Sequence, residues 1–126
     1  MVPVISFENF IPEDGVPIYQ QIVRHIKRGI VSGQIKSGDE VPSRRMLSAL
    51  LGVNPNTIQK AFALLEGEGL MESRPGAKSY MVIPEDQAEK IREQLLEADA
   101  RSIITSLKQM GLSMNQAISI IEKFWN

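Results

Sequence analysis

Ile18, Ile22, Ile26 and Ile30 recur every four residues, and Arg24, Lys27 and Arg28 fall on other faces. That period predicts an amphipathic helix, with Pro17 suited to its first position and Gly33 to its stop. A Ser37-Gly38-Asp39 turn follows, and Ile35 to Val41 leaves room for one very short strand. Ser43, after Pro42, reads as the N-cap of a second helix whose apolar face is Leu47, Leu50 and Leu51 and whose end is Gly52. Only Val53 and Asn54 separate it from a third helix. Asn54 is a cap and Pro55 a first helical residue, because a residue before proline avoids the helical region. Ile58, Ala61, Phe62 and Leu65 then stand at i, i+3, i+4 and i+7 and form the buried stripe, which runs out at Gly67 and Gly69.

Beyond Gly69 the pattern shortens. Leu70 to Ser73 and Ser79 to Ile83 read as two strands, with Pro75-Gly76 in the turn between them. After Pro84 a long helix carries Ile91, Leu95, Ala98, Ile103, Leu107 and Met110, and Gly111 closes it. Ser113-Met114-Asn115-Gln116 has the form of a capping box and opens a last helix with Ala117, Ile118, Ile121, Phe124 and Trp125. Ahead of all this, Pro3, Pro12 and an Asp14-Gly15 turn mark an extended arm. The predicted fold is mainly α with a small β-hairpin. Residues 1–16 form the arm, residues 17–84 a winged helix-turn-helix, and residues 85–126 a short two-helix dimerisation region.

Composition narrows the chemistry. The 126 residues include no cysteine and one histidine, which removes disulfides, thiolate nucleophiles and a His/Cys metal cluster. His25 sits within an amphipathic helix and reads as a partly exposed structural residue. No apolar run reaches the ~18 residues that span a bilayer, so no membrane partner is expected and the cytoplasm is the expected location. The formal charge of −1 hides a split. Val16 to Tyr80 holds nine basic residues against five acidic ones, while the remainder holds five basic against ten acidic. The first of these is the part suited to a polyanion.

Two helices joined by Gly52-Val53-Asn54 must cross steeply, which is the helix-turn-helix arrangement and presents its second helix outward. That helix displays Asn56, Thr57, Gln59 and Lys60 near its start. Asn and Gln can pair with adenine, Lys can reach guanine or phosphate, and the N-terminal amides and dipole favour phosphate. Ser43, Arg44 and Arg45 open the preceding helix where they could hold the DNA backbone, and Arg74 and Lys78 flank the hairpin tip.

These blocks resemble the GntR family of bacterial regulators. They are Pro17-Ile18-Tyr19-Gln20-Gln21-Ile22, Gly33 to Gly38, Val41 to Leu47, Leu51 to Phe62, Leu65-Glu66, Gly69-Leu70 and Gly76. The Asn-Pro-Asn-Thr form and the short C-terminal part are similar to the YtrA subfamily. The resemblance implies a homodimer formed largely by the C-terminal helices and a palindromic operator in double-stranded DNA, often near genes for a membrane transporter. It further implies a backbone-gripping role for Arg45, recognition contacts from Asn54, Asn56, Thr57 and Gln59, and a wing glycine at Gly76. Two departures stand out. Pro55 and Gln59 occupy places where many members carry arginine. Gly76-Ala77-Lys78 stands where the subfamily reads Gly-x-Gly, so either Lys78 takes a conformation that glycine adopts more easily or the turn differs.

The expected function is therefore a sequence-specific DNA-binding regulator, a repressor by resemblance, with no enzymatic role and no cofactor. The alternative is a winged helix used for protein contact, against which the polar Asn56, Gln59 and Lys60 surface speaks. Ile91, Leu95, Ile103, Leu107, Ile118, Ile121, Phe124 and Trp125 are expected in the dimer seam, and an unknown small-molecule effector between subunits stays open. Gly33 to Gly38 lacks the spacing of a phosphate-binding P-loop.

Overall fold

The computed structural model describes residues 3–73 and 78–126 and divides the chain into two units, Met1–Ile91 and Arg92–Asn126. The elements are α1 (Ile18–Ser32), β1 (Glu40–Val41), α2 (Arg44–Leu51), α3 (Pro55–Gly67), β2 (Met71–Ser73), β3 (Ser79–Met81), α4 (Glu85–Gln109) and α5 (Met114–Phe124). Among the described residues, no helix is long and apolar enough to cross a membrane.

In the first unit the isoleucine stripe of α1 meets the stripe of α3. Ile22 and Ile26 are fully buried, as are Ile58, Ala61 and Leu65. Leu47 comes in from α2, and Val41, Leu70, Met71 and Met81 close the core from the sheet side. Fully burying a side chain of this size contributes about 1.5–3 kcal/mol, so this one cluster carries most of the unit's apolar driving force. Leu50, expected on the buried face of α2, is instead 66% exposed. The inward face of that eight-residue helix is centred between Leu47 and Leu51, which leaves Leu50 at its edge.

The three short strands form one antiparallel sheet in the order β1-β3-β2, with Glu40 opposite Tyr80 and Met71 opposite Met81. The short strand expected between Ile35 and Val41 is thus the third member of the hairpin's sheet. Its outer edge is covered by the N-terminal segment. The Glu40 N–H donates to Pro3 O (2.9 Å), the Ile5 N–H donates to Glu40 O (2.9 Å), and Val4 forms a parallel bridge with Glu40. Covering an edge in this way removes unpaired backbone groups from water and from other chains.

The segment read from sequence as an arm is therefore packed, with Ile5 and Phe7 in the core. Two residues of α1 hold it. The His25 ring stacks on Phe7 at 4.5 Å between centroids and meets Phe10 edge-on, and its Nε2–H donates to Ser6 O (2.9 Å). Gln21 is buried, donates from Nε2 to Glu13 O (3.0 Å) and Val16 O (2.7 Å), and accepts from the Glu13 N–H (2.8 Å).

In the second unit, the α4–α5 connection is closed by Ser113. Its Oγ accepts from the Gln116 N–H (3.3 Å), and the Gln116 side chain accepts from the Ser113 N–H (2.9 Å). The predicted capping box is present. No residue of this unit is buried, and Ile103, Ile104, Ile118, Ile121, Phe124 and Trp125 are all exposed.

Candidate nucleic-acid interface

The turn between α2 and α3 sets the geometry. Gly52 adopts φ 67°, a left-handed conformation that costs glycine nothing and other residues about 1–2 kcal/mol. Ser48 secures the turn: its carbonyl accepts from the Gly52 and Val53 N–H groups (2.9 and 3.2 Å), and its hydroxyl donates to Val53 O (2.5 Å). Sequence reasoning passed over Ser48, because a mid-helix serine has no local signal of a partner five residues on.

Both helices start on the predicted caps. Ser43 Oγ accepts from the Met46 N–H (3.1 Å), and Asn54 Oδ1 accepts from the Asn56 N–H (2.8 Å). The Thr57 N–H donates to Asn54 O (2.9 Å), and Pro55 has no N–H to offer. The first-turn amides of α3 are thus already used, which corrects the expectation that they would hold a phosphate. What remains there for an anion is the helix dipole.

With Ile58, Ala61, Phe62 and Leu65 inward, Asn54, Asn56 and Gln59 are exposed and Thr57 is half-buried. Arg44 and Arg45, the first two residues of α2, are exposed. The Arg44 guanidinium donates from Nη1 to Gln59 Oε1 and so links the two helices across the turn. Lys60 is exposed and has a neighbour on α1. Its Nζ lies 4.1 Å from the centroid of the Tyr19 ring, a cation–π contact that ties α3 to α1.

A groove of about 800 Å³ runs between the start of α2, the outer flank of α3 and the sheet, and Ser43, Arg44, Gln59 and Lys78 line it together. Asn54, Asn56, Thr57, Arg45 and Lys60 lie off its walls. Lys78 pairs with Glu40 at 3.3 Å, although its side chain stays 67% exposed. It does not take a glycine-like backbone, since no non-glycine residue among those described has positive φ. Arg74 and Gly76, predicted for the wing, lie outside the described residues. The groove also holds a polar relay that the sequence did not announce: Ser73 Oγ donates to Glu66 Oε1 (2.5 Å) and bonds Ser79 Oγ (2.9 Å). These residues meet only once β2 pairs with β3 in register, Ser73 opposite Ser79.

Of the residues expected in the dimer seam, Ile91 is a correction. It is 6% exposed and belongs to the core cluster of the first unit, because the opening turns of α4 still pack there. Leu95 and Leu107 are half-buried, while Ile103, Ile118, Ile121, Phe124 and Trp125 remain open.

A tight helix-turn-helix followed by a hairpin that joins a small antiparallel sheet defines a winged helix-turn-helix. The family model described as bacterial regulatory proteins, gntR family, matches residues 18–80, and the chain belongs to that family. The HTH-type transcriptional repressor YtrA of Bacillus subtilis (strain 168) is 34% identical over 112 residues, covering 89% of this chain and 82% of that protein. A GntR family transcriptional regulator from Listeria monocytogenes has a similar structure, with TM-score 0.73 and 30% identity over 89% of this chain and 98% of that one. The DNA-binding domain of AraR, solved in complex with operator ORX1, matches with TM-score 0.50 and 28% identity over 64% of this chain and 96% of its own. The resemblance read from the sequence blocks, and the winged-helix fold it implied, are borne out.

Proposed function

We propose that this chain regulates transcription by binding a palindromic operator in double-stranded DNA as a homodimer in the cytoplasm, and that it acts as a repressor without enzymatic activity. The observation that carries this reading is the exposed polar row of Asn56 and Gln59 on α3, held outward by the Gly52 turn and flanked by two unburied arginines. In this reading α3 enters a major groove about 12 Å wide, Arg45 grips phosphate and the open apolar faces of the C-terminal helices form the dimer seam. The likeness to YtrA, a repressor by name, and to AraR, solved on an operator, supports it.

The test is selection of duplexes from a random pool, followed by anisotropy of the best sequence across a salt series. A palindromic site is expected, with a log–log salt slope of several units. Inserting about five base pairs between half-sites moves them to opposite faces of the duplex and is expected to abolish tight binding. Unchanged affinity for the spaced site removes the two-fold dimer. A flat salt response with no enriched sequence removes DNA binding and leaves a protein partner as the use of the winged helix.

A further inference from the structure

Resting on that DNA-binding reading, we propose that Arg44 and Gln59 act as one reading unit that selects guanine, not adenine, in each half-site. Both side chains are exposed, at the first position of α2 and the fifth of α3, and they meet on one wall of the groove beside the recognition helix. The Arg44 Nη1–H donates to Gln59 Oε1. A guanidinium has only donors, so the atom of the amide turned toward it must be the oxygen, and the Nε2–H₂ group is left for the groove.

This fixes what the pair can read. A lone glutamine reads adenine by donating to N7 and accepting from the N6 amino group, and it needs its oxygen aimed at the base. Here that oxygen is committed to Arg44. What the pair presents is donors alone: the two N–H bonds of Gln59 Nε2 and the remaining N–H groups of Arg44. Among the four bases, guanine alone offers two major-groove acceptors, O6 and N7, while adenine N6 and cytosine N4 would set donor against donor. The arginine's charge also remains available to the acceptors, since no ion pair among the described residues involves Arg44. Lys78 and Glu66, which share the groove, have partners of their own in Glu40 and Ser73. The missing arginine at position 59 is thus replaced by one delivered from the neighbouring helix, and Gln59 becomes its positioning partner.

The experiment repeats the random-duplex selection with the full chain, with Arg44→Ala and with Gln59→Ala, each variant first checked for an unchanged thermal midpoint. The position read is the one whose preference Gln59→Ala erodes. Guanine is expected there for the parent chain. Arg44→Ala frees the amide oxygen and is expected to move the preference to adenine by about tenfold, with the rest of the half-site unchanged. Adenine in the parent, or a loss in Arg44→Ala that is equal for every sequence, overturns the proposal and makes Arg44 a phosphate contact, with the operator itself intact. A parent chain that enriches no sequence overturns this proposal together with the DNA-binding reading beneath it.

Discussion

Gln21 and Lys60 both sit among the polar positions of helices, where periodicity reads any such residue as solvated. Their partners come from elsewhere in the chain: the Glu13–Val16 backbone for one, the Tyr19 ring for the other. Gln21 is the more consequential, because it satisfies three backbone groups of the segment that covers the sheet edge. Leaving a buried donor or acceptor unmet costs about 1–3 kcal/mol. Gln21→Ala is expected to lower unfolding free energy by about 2 kcal/mol in urea titration, through loss of this anchor. A change within a few tenths would mean that water replaces the amide at no cost.

At the scale of elements, α1 shows how a helix can be predicted correctly while one of its contacts goes unseen. Gly29 lies inside it, where alanine would ordinarily favour the helix by about 1 kcal/mol. A Cβ there would fall 2.4 Å from Ile35 Cδ1 and 2.7 Å from Cγ1. Ile35 is itself buried and is drawn onto the helix end by its N–H, which donates to Gly29 O (2.9 Å). Overpacking of this kind typically costs about 1–3 kcal/mol, so the clash outweighs the propensity. Gly29→Ala is expected to destabilise by about 1–2 kcal/mol in chemical denaturation. Ile35→Val in that background is expected to recover part of the loss, although alone it costs about 1 kcal/mol. Simple additivity of the two changes would remove the steric account.

On the scale of the whole molecule, the second unit is the unfinished part. From Arg92 onward none of its residues is buried within this chain, and the exposed apolar side chains on α4 and α5 are a surface to be covered. In the proposed dimer, Ile103→Glu places a charge in that seam. It is expected to convert the protein to monomer at micromolar concentration by sedimentation, and to weaken operator binding by at least tenfold as the second half-site contact is lost. A dimer that survives this change and the same change at Ile121 would move the interface elsewhere.

Sequence by itself determined the elements and much of the recognition surface. Helix periods, the caps at Ser43, Asn54 and Ser113 and the glycine stop at Gly52 are local codes, each written within a few residues. The outward placement of Asn56 and Gln59 follows from the inward stripe of Ile58, Ala61, Phe62 and Leu65. Tertiary structure alone decided how side chains pair across elements. It packed the arm through Gln21 and His25, drew Ile91 into the winged domain, took Lys60 to Tyr19 and Lys78 to Glu40, and turned Gln59 toward Arg44. The physical reason is range. A hydrogen bond or ion pair forms only within about 3–4 Å, and the packing of the whole chain decides which distant residues come that close.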